Sequence, residues 1–74
     1  MSHFCDLLPW PENPLERLVV VELLIRRRVQ PATAETLAEN FDRATRADLE
    51  QVLQMLLILG HVACDGALYR PLRQ

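Results

Sequence analysis

Basic residues are scarce in this sequence, and lysine is absent from it. All eight cationic side chains are arginines, against ten acidic residues, so the formal net charge is -2 at pH 7. Proteins that bind nucleic acid without sequence preference usually carry a basic excess that neutralises phosphates. The charge balance therefore argues against a binder of that kind, although a local basic patch is compatible with it.

Cysteine, glycine and aromatic residues are also few. Cys5 and Cys64 do not make a disulfide framework, and the N-terminus lacks a signal-peptide pattern, so we expect a cytoplasmic protein. Two glycines cannot form a glycine-rich phosphate loop, and aromatic residues are only 5% of the chain, too few to stack a series of single-stranded bases. We expect no cofactor.

Long apolar runs are missing as well. No uninterrupted apolar stretch approaches the roughly 20 residues that a membrane helix needs. Three consecutive arginines, Arg26 to Arg28, end the longest apolar region. The sequence therefore predicts a soluble protein that does not enter a membrane.

Apolar residues nevertheless make up half of the 74 residues. A single domain of this size hides only about 60% of its unfolded surface when it folds alone. When half of the residues are apolar, a single small monomer cannot readily bury all of their surface. We therefore expect a second copy of the chain or a partner protein.

Residues 1–12 are predicted to form an extended arm. Pro9 and Pro11 exclude a regular helix or a central strand there. The arm can dock on its own domain or on a second copy, and the sequence leaves both open. Four large apolar residues favour docking over a frayed terminus: Phe4, Leu7, Leu8 and Trp10.

The first helix is predicted to run from Pro14 to about Val29. Asn13 is its expected N-cap, and Pro14 suits the first helical position. Arginines in the last turn meet the negative end of the helix dipole, and Pro31 prevents continuation. Apolar residues cover most of its circumference, so the helix should be buried on more than one side. Two of them are assigned to a contact with the arm or a second subunit: Val20 and Leu24.

Two further helices are predicted from their caps. Thr33 precedes a short helix from Ala34 to about Asn40, whose core side carries Leu37 and Phe41. Thr45 and Asp48 are spaced as a capping box for a third helix, which should end where Gly60 takes a left-handed conformation.

A hairpin is predicted after the third helix. His61–Cys64 and Ala67–Arg70 alternate as strands, and Asp65-Gly66 is a strong signal for a two-residue loop. The connector Gln30–Ala32 can pair with this hairpin as a small additional strand.

Two stretches of this pattern carry a family resemblance. They read Thr33-Ala34-x-x-Leu37-Ala38-x-x-Phe41 and Leu49-x-x-x-Leu53-x-x-Leu56-x-x-x-Gly60-His61-Val62. In these residues the chain resembles the winged helix-turn-helix superfamily, from about residue 15 to residue 72. The resemblance implies a mainly α fold, a three-helix bundle with a small β-hairpin wing of two or three strands, as one domain over residues 13–74.

The resemblance also implies a way to bind DNA, with the third helix in the major groove and the wing on the backbone. Asp48 and Glu50 lie at the start of that helix and would repel phosphates, and the tip Asp65-Gly66 carries no basic residue. The candidate DNA contacts on this reading are Arg43, Arg46, Gln51 and Gln54.

The second half of the third helix instead favours a protein contact. Its core stripe is complete without Met55, Leu57 and Ile58, which occupy positions that similar proteins usually fill with charged residues. We therefore predict a non-catalytic module that acts through protein–protein contacts, as a homodimer or a small subunit, in a DNA-transaction or transcription-regulatory assembly. The alternative is a DNA-binding transcriptional regulator that uses residues 46–59 as its recognition helix.

Metal and catalytic sites are weakly indicated. His3 with Cys5 and His61 with Cys64 are the available ligand pairs, but residues three apart on a strand point to opposite faces. No residue pair has the arrangement of an activated nucleophile, and one short domain offers little concave volume. We expect no metal, no small-molecule substrate and no enzymatic activity.

Overall fold

The computed structural model describes residues 7–28 and 30–72. In this part of the chain, three helices and two small sheets form a mixed α/β fold. The helices are α1 (Pro14–Arg27), α2 (Ala34–Ala38) and α3 (Arg46–Leu59). The strands are β1 (Leu8–Pro9), β2 (Ala32–Thr33), β3 (Phe41–Asp42), β4 (Val62–Asp65) and β5 (Leu68–Pro71).

Each helix begins at the capping residue that the sequence predicted. The Asn13 side chain accepts a hydrogen bond from the Leu15 amide, and Thr33 accepts one from the Thr36 amide. At α3, Thr45 accepts from the Asp48 amide while the Asp48 carboxylate accepts from the Thr45 amide, which completes the capping box. Side chains thus satisfy N–H groups that have no partner within the helix.

The helix ends were predicted less accurately. α3 ends at Leu59 as expected, and Gly60 follows it with a left-handed φ of 80°. α1 ends at Arg27, before the predicted limit at Val29, which lies outside the described residues. α2 ends at Ala38 rather than near Asn40, because Phe41 enters a strand and the chain must turn first.

A three-stranded antiparallel sheet with the order β2-β5-β4 confirms the hairpin, and the small additional strand is present at Ala32–Thr33 rather than at Gln30–Ala32. The predicted hairpin loop was wrong by one residue: Asp65 pairs with Leu68, so Gly66 and Ala67 form the loop. Gly66 has a φ of 68°, and glycine at the first loop position is the requirement of a type II′ turn. Because Gly66 takes the first loop position, the strands pair in the register that sets Asp65 opposite Leu68.

The second sheet was not predicted. β1 lies parallel to β3, with Leu8 opposite Phe41 and Pro9 opposite Asp42, and the Leu8 amide donates to the Asn40 carbonyl at 2.9 Å. Pro9 is tolerated because this two-residue strand lies at an edge. The pairing brings the end of the arm onto its own domain.

The core lies where the three helices meet the larger sheet. The three helices and β4 all contribute, and no polar side chain of the described residues is buried in it. Seven side chains of the core are almost completely inaccessible: Val21, Ile25, Leu37, Leu49, Leu53, Leu56 and Val62. α1 and α3 both lie against this core, and this contact determines which side of each helix faces outward.

Candidate interaction surfaces

α1 and α3 lie side by side and run in the same direction. Leu18 of α1 and Met55 of α3 line one shallow groove of about 160 Å³ near the start of α1. Further along, Nδ1 of His61, which follows the end of α3, lies 2.9 Å from Oε2 of Glu22. The two helices therefore present their outward sides next to each other.

The outward side of α1 carries an apolar stripe. Leu15, Val19 and Leu23 are spaced four residues apart, so they follow one line along the helix. They are 70%, 56% and 54% exposed. Singly exposed apolar side chains are ordinary, but three in a row on one helix are not.

The outward side of α3 changes character along its length. Its first half exposes Arg46, Glu50 and Gln51, whereas its last turns expose Met55, Ile58 and Leu59. Met55 borders α1 through the shared groove. We call the exposed residues of the two helices together the apolar face: Leu15, Val19, Leu23, Met55, Ile58 and Leu59.

Three residues of the predicted interface are not among these exposed side chains. Val20, Leu24 and Leu57 are half-buried and pack against the core of their own chain. α1 is apolar on almost every side, so its sequence did not fix which side faces outward. Leu57 lies next to Leu53 around α3 and is drawn inward with it, while Leu59 takes the exposed position at the helix end.

The sequence did contain a signal for the missed stripe. Arg26 and Glu16 bracket Val19 around the helix axis, and both charged side chains are exposed. Charges at these positions mark the solvent side of α1, and Val19 and Leu23 of the stripe lie between them. Arg17 and Glu22 obscured this signal, because both are charged yet only half-exposed.

The arm is held by Trp10. Its ring packs edge-on against Phe41, and the Arg17 guanidinium lies 5.0 Å from the Trp10 ring centroid. Arg17 Nε also donates to the carbonyl of Pro11 at 2.6 Å. Of the apolar residues predicted to dock the arm, Trp10 therefore docks on its own chain. Leu7 and Leu8 remain exposed, and Phe4 lies outside the described residues.

The candidate DNA contacts at α3 are exposed but unevenly charged. Nε of Arg46 donates to Oε2 of Glu50 at 2.9 Å, and this hydrogen bond and the adjacent negative charge raise the pKa of Arg46. Gln51 and Gln54 are exposed on the outward side of the helix. Arg43 precedes α3 with a left-handed φ of 74°. One of the two arginines is therefore already paired with a carboxylate.

A polar groove of about 200 Å³ separates the starts of α2 and α3 from the hairpin. Glu35, Arg46, Glu50 and Tyr69 line it. Burial raises the pKa of the Tyr69 hydroxyl, and the neighbouring Cys64 raises it further. The groove places the guanidinium of Arg46 beside the carboxylates of Glu35 and Glu50. This arrangement suits neither the binding of an anion nor a nucleophilic reaction.

His61 and Cys64 do not converge. His61 bonds to Glu22 of α1, whereas the Cys64 thiol lies on the hairpin and donates to the carbonyl of Gly66 at 3.0 Å. Across residues 7–28 and 30–72, no three His, Cys, Asp or Glu side chains are placed to hold a metal ion. His3 and Cys5 lie outside the described residues.

None of the described helices is both long enough and apolar enough to cross a membrane. Comparisons with models of known protein families, with the sequences of characterised proteins and with solved structures find no match. The function of this chain is therefore inferred from its own residues.

Proposed function

We propose that this chain is a winged-helix module that works through protein–protein contacts and not through catalysis. The order of its elements supports the fold: three helices are followed by an antiparallel hairpin, and β2, between the first two helices, joins that hairpin. The helix-turn-helix part of the proposal is the pair α2 and α3, which residues 39–45 connect and which pack against each other. A role in a DNA-transaction or transcription-regulatory assembly goes with this family resemblance.

The apolar face carries the proposal. Six large apolar side chains, each at least 47% exposed, lie on two adjacent helices. The largest contiguous apolar patches on typical monomers measure about 300–600 Å², and patches of that kind commonly mark binding sites. A contact that covers this face removes it from water and stabilises the complex.

Self-association measured by light scattering over a wide concentration range tests the proposal. We expect a mass above that of the monomer, and we expect Met55→Asp and Ile58→Asp to shift the chain to monomer. Leu7→Asp is the matched control, because Leu7 is 48% exposed, as Met55 is at 47%, but lies outside the apolar face. A wild-type chain that stays monomeric at the highest concentration contradicts the homodimeric form of this function.

A DNA-binding regulator is the second candidate, and the exposure of Arg43, Gln51 and Gln54 beside α3 favours it. Against it stand the Arg46–Glu50 pair and the net charge of -2. A titration with mixed DNA fragments at low salt separates the two functions. Tight binding that weakens steeply with salt and is abolished by Arg46→Glu supports the DNA reader.

A further inference from the structure

We propose that the apolar face is covered by a second copy of this chain, with α1 packed antiparallel to α1 of that copy about a two-fold axis. This inference rests on the proposed function and adds to it the identity of the partner and the register of the contact. The apolar stripe and two charged residues beside it, Glu16 and Arg27, support this arrangement.

The stripe on α1 suits a two-fold contact. The axis passes between the two α1 helices, at the level midway between Glu16 and Arg27, near Val21 and Glu22. At 1.5 Å per residue, Val19 then lies within about 2 Å, along the helix axis, of Leu23 of the second copy. Val19 and Leu23 of one copy therefore lie opposite Leu23 and Val19 of the other, and the two stripes meet at these residues.

Charge decides the direction of the pairing. Glu16 and Arg27 are eleven residues apart, so they lie on nearly the same flank of α1, about 20° apart around its axis. A two-fold axis perpendicular to the helices sets each flank against the same flank of the other copy. Glu16 of one copy then meets Arg27 of the other, twice in each dimer.

A parallel arrangement does the opposite. It places Glu16 against Glu16 and Arg27 against Arg27, and it also aligns the two helix dipoles unfavourably. Both residues are exposed. Within the described residues neither of them makes an ion pair, whereas the neighbouring Arg26 is held by Glu22 at 2.9 Å.

The other flank of α1 extends the same contact. Leu18 and Glu22 lie there, next to α3. The exposed Met55 and Leu59 are on the side of α3 that adjoins this flank. A second copy seated on the α1 stripe is therefore also within reach of the α3 part of the apolar face, and this brings the contact closer to the roughly 800 Å² per partner of a standard interface.

Charge reversal tests the register, with the dissociation constant of the dimer measured by sedimentation equilibrium. Glu16→Arg alone and Arg27→Glu alone each turn two attractive contacts into two repulsive ones, so we expect each variant to dimerise about tenfold more weakly than the wild type. An equimolar mixture of the two variants restores both attractive pairs. We expect this mixture to dimerise within about threefold of the wild type.

The mixture also separates the proposal from a change in helix stability. Glu16 lies in the first turn and Arg27 in the last turn of α1, so each reversal opposes the helix dipole within its own chain. The mixed dimer retains both of these costs, and its recovery cannot come from relieving them. Glu39→Arg with Arg43→Glu is the matched control, since both residues are exposed and lie outside α1, and we expect no effect singly or mixed.

The outcomes distinguish this inference from the function on which it rests. Recovery in the mixture supports the antiparallel register. A dimer that is broken by Met55→Asp and Ile58→Asp but unaffected by both charge reversals overturns the register and leaves the proposed function standing. A wild-type monomer at every concentration overturns the second copy as the partner, and with it this inference.

Discussion

The ring of Trp10 meets the ring of Phe41 edge-on, with the centroids 4.9 Å apart and the planes inclined by 71°. Phe41 belongs to the core, whereas Trp10 lies on the arm just after β1. The same segment pairs Leu8 with Phe41 in the parallel sheet. One aromatic contact therefore joins the arm to the hydrophobic centre of the domain.

Trp10→Ala should lower the free energy of unfolding by about 2 kcal/mol, less than for a fully buried tryptophan because Trp10 is half-buried. Urea denaturation followed by circular dichroism measures this change. Leu7→Ala is the control, since Leu7 is exposed on the same arm. Equal and small effects of the two substitutions would show that the arm adds no stability.

The arm illustrates how far the sequence predicts this fold. Prolines and large apolar residues predicted an extended segment that docks; in the described part, Leu8–Pro9 is a strand and Trp10 packs on Phe41. The strand pairing of Leu8 with Phe41 had no local signal, because it joins residues far apart in the chain. Helix caps act within a few residues and were therefore predicted accurately, as at Thr45 and Gly60.

The apolar face was predicted only in part for a related reason. On α3, the core stripe fixes which side is buried, and Met55 and Ile58 were correctly placed outside it. On α1, apolar residues on nearly every side left the rotation of the helix undetermined. Val20 was therefore chosen where Val19 is exposed, an error of one residue that amounts to about 100° around the helix.

Thr45→Ala should destabilise the protein by about 1 kcal/mol, because it leaves the Asp48 amide without its side-chain acceptor at the start of α3. Thr45→Ser retains a hydroxyl at the same position and should cost less. Thermal unfolding of the two variants compares them. If serine and alanine prove equally destabilising, the capping hydrogen bond is not what stabilises this helix end.

Gly60→Ala should destabilise the protein by roughly 1 kcal/mol, because Gly60 is left-handed at a φ of 80° and an L-residue is strained there. A Cβ atom at this position meets nothing within 4 Å, so steric contact adds no further cost. Gly60→Asn should fall between the wild type and alanine, since asparagine tolerates this conformation better. Chemical denaturation gives the order, and an asparagine variant less stable than alanine contradicts the explanation.

Tyr69 should make stability depend on pH above its ordinary pKa of about 10. Burial, with Cys64 opposite it on β4, raises the pKa of Tyr69 in the folded state, so the unfolded chain loses this proton first. The resulting stability is complete below pH 10 and is lost as the pH rises through the folded-state pKa. Because Tyr69 is the only tyrosine, its ultraviolet absorbance reports the titration directly. We expect the Tyr69 titration in the folded protein to have its midpoint above 10, and we expect a smaller elevation of this midpoint in Cys64→Ser. Tyr69→Phe should lose less stability at alkaline pH. A midpoint at 10 or below would show that the folded chain does not disfavour the tyrosinate.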